Sequence, residues 1–312
     1  MKRSGWIAAA GTLIAGSSRA AFAQSGPVLR VGGAFGDPSA EGHYAVDFGF
    51  FRKAGLNVDF QAFTTGSAVA EALGFGSIDV GITTPIQIAN AFEHGLGFVI
   101  IAPGAENRLN DQTVQLIVRK SSPLRIPKDF EGKTVGVNAR RTFSELGLLA
   151  WMDAGGADSS KVRTIEMLPT EMGPSVERGT VDAAAVTEPA LTGSLKVNDA
   201  RILAAPLTAI GAEFPISAWF TTLDYAKKNR AVCRRFLACM LYVAKWANAH
   251  RPQTAEILVK YSKYEPDLVR AMRRVAYAEH LRLPEFQTVL DVALRYHVVG
   301  RRIAASELVF QG

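Results

Sequence analysis

Lys-Thr-Val-Gly-Val-Asn-Ala-Arg-Arg-Thr-Phe-Ser-Glu, residues 133–145, carries the pattern of a strand, a loop and a helix start on which the fold prediction rests. Thr134 to Val137 is apolar and predicts a short buried strand, and Ser144 to Trp151 predicts the first turns of an apolar helix. The polar loop between them brings the free backbone N–H groups of a helix start to a strand end, where an anion or a polar ligand can bind. The alternative is an ordinary strand-to-helix connection in which Thr142 or Ser144 only caps the helix.

The same order of strand, hydroxyl-rich turn and helix start occurs earlier in the chain. Thr64 and Thr65 follow a predicted strand and precede a helix, and Thr83 and Thr84 do the same one unit later. Phe35 lies in the loop after the first predicted strand. Alternation of strands and helices predicts a parallel sheet with helices on both faces. Ligands bind outside the carboxyl ends of the strands in such sheets, so we expect these loops to form a site.

Two phrases resemble each other across the halves of the chain: Ala-Leu-Gly-Phe-Gly-Ser-Ile-Asp-Val at 72–80 and Ser-Val-Glu-Arg-Gly-Thr-Val-Asp-Ala at 175–183. Each ends a predicted helix with Gly and begins a strand near an Asp. A chain of 312 residues is also long for one core. We therefore predict an α/β fold with lobe I at residues 27–117, lobe II at 118–215, and a return to lobe I with C-terminal helices at 216–312.

The C-terminal part shows apolar residues at spacings of three and four, which predicts helices. The predicted helices cover residues 230–249, 253–261, 266–277 and 284–296. The pair Arg273 and Arg274 is predicted to lie on a solvated face. The last residues, 306–312, are either native or a cloning remnant, because Leu-Val-Phe-Gln-Gly at 308–312 resembles a protease-site scar.

The N-terminus has the features of a secretory signal peptide. Lys2 and Arg3 precede an apolar run of about ten residues, and Ala21-Phe22-Ala23 offers the small residues that a signal peptidase requires. A membrane span would need about twenty apolar residues. We predict that residues 1–23 are removed and that the mature chain is exported to the periplasm of a bacterium.

Charge and cysteine content exclude several classes of protein. Removal of the signal peptide leaves 32 basic and 29 acidic residues, too small an excess to predict nucleic-acid binding. Cys233 and Cys239 lie six apart in one predicted helix, beyond disulfide reach, and are predicted to be buried thiols. No Cys and His residues show metal-ligand spacing, so no metal or cofactor is predicted.

The sequence resembles the NMT1/THI5-like family, the sulfonate, nitrate and taurine group of periplasmic substrate-binding proteins of ABC importers. The resemblance is carried by Gly-Phe-Phe-Arg-Lys-Ala-Gly-Leu-Asn-Val (49–58), Gly-Ser-Ile-Asp-Val-Gly (76–81), Phe-Glu-Gly-Lys-Thr-Val-Gly-Val (130–137), and Gly-Thr-Val-Asp-Ala-Ala (179–184) before Glu188-Pro189. It implies a type II periplasmic binding protein fold, with two doubly wound lobes joined by two crossing strands. It also implies a small-molecule ligand in the cleft, an ABC permease and ATPase as partners, and a monomer.

The family's cleft contacts fall in the loop after the first strand, the Ser/Thr turns of lobe I, and the helix start and acidic step of lobe II. The matching positions are Phe35, Thr64, Thr65, Thr83, Thr84, Asn138, Thr142, Phe143, Ser144 and Glu188, with Trp219 at the return crossing. Hydroxyls and helix-start amides would bind one polar or anionic ligand, and closure of the lobes would exclude water.

Three of these residues allow alternatives. Glu188 would repel a pure anion, so it contacts a ligand N–H or ammonium group, pairs with Arg140 or Arg141, or only caps the turn before Pro189. Phe143 and Trp219 suit a planar or apolar ligand body, or belong to the core.

Proteins of this fold have functions other than solute binding for an ABC importer. A thiamine-pathway pyrimidine-synthesis enzyme of this fold would require a cysteine-rich motif that this chain lacks. A transcriptional effector domain would need a DNA-binding domain in front. A receptor for a tripartite, non-ABC transporter stays open, and so does the choice among sulfonates, nitrate, carboxylates, pyrimidines and flavins as ligand.

Overall fold

A computed structural model describes residues 27–262 and 264–312, so the predicted signal peptide lies outside the described residues. The strands are β1 (Leu29–Ala34), β2 (Val58–Phe63), β3 (Val80–Thr83), β4 (Phe98–Pro103), β5 (Ala105–Arg108), β6 (Val114–Arg119), β7 (Thr134–Val137), β8 (Arg163–Glu166), β9 (Ala183–Thr187), β10 (Ala200–Ala204), β11 (Glu213–Pro215), β12 (Ala218–Thr222) and β13 (Ala276–Tyr277). The helices are α1 (Glu41–Asp47), α2 (Phe50–Lys53), α3 (Gly66–Gly74), α4 (Pro85–Glu93), α5 (Phe143–Ala154), α6 (Pro169–Arg178), α7 (Ala190–Val197), α8 (Leu223–Lys228), α9 (Arg230–Ala249), α10 (Arg251–Tyr261), α11 (Pro266–Ala271), α12 (Leu283–Arg295) and α13 (Ala305–Leu308).

The first lobe is built on a five-stranded sheet in the order β2-β1-β3-β12-β4. β1 is parallel to β2 and β3, as the alternation of strands and helices predicts. β12 comes from much later in the chain, lies between β3 and β4, and is antiparallel to both. The four strands for which the alternation predicts a parallel sheet thus all run in one direction, and β12, which this alternation does not include, is inserted between β3 and β4.

The second lobe repeats this arrangement in a sheet of order β10-β6-β9-β7-β8. β7 is parallel to β8 and β9, whereas β6 is antiparallel to β9 and β10. Each lobe therefore has parallel strands in which hydroxyl-bearing loops follow the carboxyl ends, and one antiparallel neighbour. The two similar α/β lobes that the sequence predicts are confirmed.

Two antiparallel strands connect the lobes. β5 leads from the first sheet to the second and β11 leads back, and the two pair directly. The predicted boundary at residue 117 is wrong because it falls within β6, all of which belongs to the second sheet. The chain crosses earlier, at β5.

The C-terminal part contains two further departures from the predictions. The helix predicted over 266–277 ends at Ala271, because Ala276 and Tyr277 pair with β5 as a short strand. The tail is also part of the fold: Leu308 and Val309 are buried, and Val309 forms a bridge with Ile100 of β4. The tail thus packs on the first sheet, which the resemblance of residues 308–312 to a protease-site scar did not indicate.

One apolar cluster contains side chains from both lobes. Phe143, Leu146 and Ala150 of α5 belong to the same cluster of buried side chains as Phe286 and Val289 of α12. Beyond this cluster, the Tyr296 hydroxyl donates a hydrogen bond of 2.7 Å to Asp153. The lobes are thus joined by a largely apolar contact on the α12 side.

Cys233 and Cys239 are buried and unpaired, as predicted from their spacing. Burial raises the pKa of Cys233 to about 11 and that of Cys239 to about 12. Both thiols are therefore protonated and unreactive in the folded chain at neutral pH.

Candidate functional site

A cleft with a volume of about 300 Å³ is lined by residues from both lobes. Its polar side chains follow the ends of strands: Thr84 follows β3, Asn138 follows β7, and Thr187 ends β9. This is the position at which open α/β sheets bind ligands, and the volume is that of a small-molecule pocket. The other lining residues are Asp37, Pro38, Gln87, Thr113, Val114, Thr142, Phe143, Ser144, Glu188, Leu207, Ile216, Arg273 and Val275.

Helix α5 begins at this cleft, and no side chain within the described residues caps its first backbone amides. Thr142 is the N-cap residue, but its hydroxyl lies 2.8 Å from the carbonyl oxygen of Ala139 and 3.0 Å from the Ser144 hydroxyl. The Ser144 hydroxyl in turn donates to the side-chain oxygen of Asn138. The polar side chains around the helix start therefore bond to one another and to the loop, and they leave the first amides of α5 to a ligand.

Helices α3 and α4 of the first lobe differ from α5 at their starts. Thr65 accepts a hydrogen bond of 3.1 Å from the backbone N–H of Ala68, and Thr84 accepts one of 3.2 Å from that of Gln87. Both are ordinary N-caps. The Gln87 side chain accepts a hydrogen bond from the Thr83 hydroxyl, which places its amide at the cleft wall.

Carboxylates hold the loop before α5 in place. Arg141 has a positive φ of 57°, and its backbone N–H donates to Glu145 at 2.6 Å. The backbone N–H of Arg140 donates to Glu166 at 2.7 Å. Neither arginine forms an ion pair with Glu188 in the described part of the chain, so the predicted pairing of Glu188 with Arg140 or Arg141 is wrong.

Glu188 instead connects the two lobes. One carboxylate oxygen accepts hydrogen bonds from the backbone N–H of Arg273 (3.1 Å) and from the Thr192 hydroxyl (3.0 Å), and the other accepts one from the Thr192 backbone N–H (3.0 Å). Glu188 follows β9 of the second lobe, whereas Arg273 lies between α11 and β13. Arg273 lines the cleft and has no ion-pair partner among the described residues. Glu188 thus has three donors already, and Arg273 offers a positive charge at the cleft.

A buried ion pair holds the segment that carries Arg273. The Arg274 guanidinium donates to Asp37 at 2.6 Å and to the Tyr44 hydroxyl at 2.8 Å, and the backbone N–H of Val275 donates to the second Asp37 oxygen at 2.8 Å. Burial by itself lowers the pKa of Arg274, but the Asp37 carboxylate outweighs burial and raises the pKa. The prediction of a solvated pair is therefore wrong for Arg274.

The structure brings six of the eleven predicted site residues to the cleft lining. They are Thr84, Asn138, Thr142, Phe143, Ser144 and Glu188. The other five do not line it: Phe35, Thr64, Thr65, Thr83 and Trp219.

The five exceptions have other positions. Trp219 has no exposed surface, and its indole N–H donates to Glu41 at 3.1 Å, so the predicted ligand contact at Trp219 is wrong. Its strand, β12, lies inside the first sheet, which places the ring in the core. Phe35 is 49% exposed and stacks on His43, Thr64 is exposed outside the cleft, and Thr65 and Thr83 act within the first lobe as described above.

Several lining residues were missed in the sequence. Thr187 directly follows an apolar run, 183–186, that is typical of a strand, and Gln87 follows Thr84 by one helical turn, so strand ends and helical spacing could have found both. Arg273 could not be recognised as a cleft residue, because the sequence predicted that it lies within a helix over 266–277. No sequence pattern marked Asp37 as a cleft residue, since its ion-pair partner Arg274 is distant in sequence.

The described residues hold no group of three or more His, Cys, Asp or Glu side chains suited to a metal ion. No helix among them has the length and apolar character needed to cross a bilayer.

Comparison with known proteins gives the family. The family described as NMT1/THI5 like matches residues 40–255. The chain is 26% identical over 254 residues to the putative aliphatic sulfonates-binding protein of Escherichia coli (strain K12), covering 80% of this chain and 76% of that protein.

Solved structures show the same fold. The periplasmic aliphatic sulphonate binding protein SsuA from Escherichia coli matches with a TM-score of 0.76 and 20% identity, covering 92% of this chain and 93% of the other. The desulfurization enzyme DSZB matches with a TM-score of 0.67 and 13% identity, covering 90% and 96%. The fold therefore occurs in binding proteins and in an enzyme, and function has to be argued from the site. With its periplasmic binding protein fold and a match over most of its length, this chain belongs to the NMT1/THI5 like family.

Proposed function

We propose that this chain is a periplasmic solute-binding protein that captures a small organic anion, a sulfonate or a carboxylate, between its lobes and delivers it to an ABC importer. The observation that carries the proposal is the uncapped start of α5 at the cleft. A helix start offers backbone N–H groups and the positive end of the helix dipole, which together favour an anion. The side-chain NH2 of Asn138 lies beside this start and can donate to a ligand, and the hydroxyls of Thr142 and Ser144 can do so once they turn away from their present acceptors on Ala139 and Asn138.

The remainder of the lining supports an apolar ligand body. Val114, Phe143, Leu207, Ile216 and Val275 contribute aliphatic or aromatic surface to the cleft. The charges are few: Asp37 is bonded by Arg274, Glu188 has three donors, and Arg273 faces the cleft. A monoanion with a short hydrocarbon chain fits this combination better than a dianion or a strongly cationic molecule.

The delivery step is proposed from the relatives. The similar Escherichia coli protein is named for binding aliphatic sulfonates, and the matching structure is of a periplasmic binding protein. Two lobes joined by β5 and β11 can close on a ligand, and a closed form differs in shape from an open one. Genes for a permease and an ATPase beside this gene would support the ABC importer, whereas two membrane-subunit genes without an ATPase would favour a tripartite transporter.

A matched series of ligands tests the binding proposal. Thermal-shift and calorimetric measurements on the mature chain would use butanesulfonate, butyrate, inorganic sulfate and the neutral butanol. We expect butanesulfonate or butyrate to raise the melting temperature, with sulfate weaker because it lacks an apolar body and butanol without effect because it lacks charge. Equal responses to butanol and butanesulfonate would contradict an anion site at α5.

A further inference from the structure

Helix α9 presents an unusually basic outer face. It carries Arg230, Arg234, Arg235 and Lys245 and contains no Asp or Glu. The short helix α2 packs against it and adds Arg52 and Lys53. Arg234, Arg235, Lys245, Arg52 and Lys53 are exposed, and none has an ion-pair partner within residues 27–262 and 264–312. Many other exposed basic residues of the chain, such as Lys161 and Arg270, do pair with acids.

Two of these cations, Lys53 and Arg235, line an apolar groove between the two helices, and the others lie elsewhere on the same two helices. The groove has a volume of about 370 Å³ and is lined by Phe50, Ala54, Ala238 and Tyr242, together with Lys53 and Arg235. Tyr242 is 56% exposed and meets the Phe50 ring edge-on at 5.2 Å. We call the groove with its surrounding cations the α2/α9 face.

Two contacts fix the arrangement of cations around the groove. The Arg235 guanidinium donates to the carbonyl oxygen of Gly55 at 3.2 Å, which ties α9 to the end of α2. The Lys53 ammonium lies 5.2 Å from the centre of the Phe50 ring. The side chains therefore stand beside apolar surface, as basic residues do where a protein meets a lipid headgroup layer.

We propose that the α2/α9 face binds the surface of a membrane that contains anionic phospholipid. A phospholipid presents a negative phosphate joined to apolar chains, and this face presents cations beside an apolar groove with an amphipathic tyrosine. Tyrosine is favoured at the headgroup level, and each basic residue adds to attraction by an anionic bilayer. Charge complementarity along one helix face would orient the mature chain, whose 32 basic and 29 acidic residues give only a small net positive charge.

This inference goes beyond the proposed function and does not depend on the ligand. None of the residues of the α2/α9 face lines the cleft between the lobes. The chain could therefore rest on a membrane with its cleft accessible. A protein that delivers its ligand to a membrane importer would then reach the importer by diffusing along the membrane surface instead of through the surrounding volume.

Flotation of the mature chain with vesicles tests the proposal. Vesicles of phosphatidylcholine alone would be compared with vesicles containing 30% phosphatidylglycerol, each at low and at near-physiological salt. We expect binding only with phosphatidylglycerol, and weaker binding as salt rises, since screening acts on exposed charges. The triple variant Lys53→Gln, Arg234→Gln and Lys245→Gln should lose about tenfold or more of its affinity. Arg235 is left in place because it bonds to the backbone of Gly55.

The matched control removes the same charge from the second lobe through Lys128→Gln, Arg163→Gln and Arg178→Gln. These residues are exposed and lie outside the ion pairs of the described chain. The control should bind vesicles like the unchanged chain, and both triples should keep its melting temperature. Equal losses in the two triples would assign the effect to net charge and overturn the proposal. Absence of any phosphatidylglycerol dependence would also overturn it and leave an acidic protein as the partner to seek.

Discussion

The carboxylate of Glu188 in the second lobe accepts a hydrogen bond of 3.1 Å from the backbone N–H of Arg273, in a segment anchored to the first lobe. On the α12 side the lobes share an apolar cluster and the bond between Tyr296 and Asp153. On the Glu188 side this hydrogen bond joins the lobes where α7 approaches α11, whereas the contact at α12 buries aliphatic and aromatic surface. Separating apolar surfaces costs more, so we infer that the cleft opens on the Glu188 side.

Glu188→Ala should shift the chain toward the open form. Hydrogen bonds to a charged group contribute about 1.5–3 kcal/mol, enough to change a balance between open and closed forms. Small-angle scattering of the ligand-free protein should show a larger radius of gyration for the variant. Arg273→Ala is the control because it keeps the backbone donor, and its scattering should match that of the unchanged chain. Identical scattering from all three proteins would show that Glu188 does not hold the lobes together.

Removing the hydroxyls at the start of α5 should weaken anion binding without unfolding the chain. For Thr142→Val combined with Ser144→Val we expect about a tenfold or greater loss of affinity for the best ligand of the anion series, since each lost hydrogen bond contributes about 1 kcal/mol. Calorimetry would measure the affinity, and Thr180→Val, an exposed hydroxyl outside the cleft lining, serves as control. Unchanged affinity in the double variant would remove these hydroxyls from the site.

Trp219→Phe should lower stability and leave ligand affinity unchanged. The substitution removes the N–H that donates to Glu41 and leaves a buried carboxyl group without this partner. We expect a loss of about 1–3 kcal/mol in the free energy of unfolding. Denaturant unfolding would measure it, and Trp246→Phe, which alters a ring stacked on His250, should cost less. A large loss of ligand affinity in Trp219→Phe would show that Trp219 contributes to the binding site.

The stability of the chain should fall as pH rises from about 6.5 to 8. Burial raises the pKa of Glu41 to about 8 despite the opposing hydrogen bond from Trp219, so the folded chain keeps a proton that the unfolded chain releases above its ordinary pKa of 4.5. Burial lowers the pKa of His43 to about 4 from 6.5, so His43 makes stability rise with pH below 6.5 and has no effect above it. Between 6.5 and 8 only the Glu41 effect of these two remains, with a slope of up to about 1.4 kcal/mol per pH unit.

Denaturant unfolding at pH 6.5, 7.5 and 8.5 would measure this slope. Glu41→Gln keeps an acceptor for the Trp219 N–H but cannot titrate, so its stability should be flat over the same range. A similar slope in both proteins would mean that another group is responsible.

The secondary structure was predictable wherever local pattern and tertiary context agree. Residues 133–145 form the predicted strand, loop and helix start, because apolar periodicity and the helix boundary are local properties. The same holds for α9 and α12, whose apolar stripes face the core. The helix predicted over 266–277 is shorter in the structure because its last two residues, Ala276 and Tyr277, pair with β5. The pairing of distant strands leaves no mark in the spacing of nearby residues.

The cleft residues near the start of α5 were predictable from the sequence, whereas the position of Trp219 was not. Asn138, Thr142 and Ser144 follow a strand end in sequence and reach the cleft, since the carboxyl ends of parallel strands lie at one edge. Trp219 could not be placed from sequence, because β12 enters the first sheet from more than a hundred residues away in the chain.

By itself, the sequence determined two α/β lobes with hydroxyl-bearing loops at strand ends and a family to which they belong, because these depend on residues that are close in the chain. Only the tertiary structure decided which loops meet, that Glu188 bonds to the backbone of Arg273, and that Asp37 fixes Arg274. Those contacts join segments far apart in sequence, and their geometry depends on how the two sheets and the C-terminal segment pack in space.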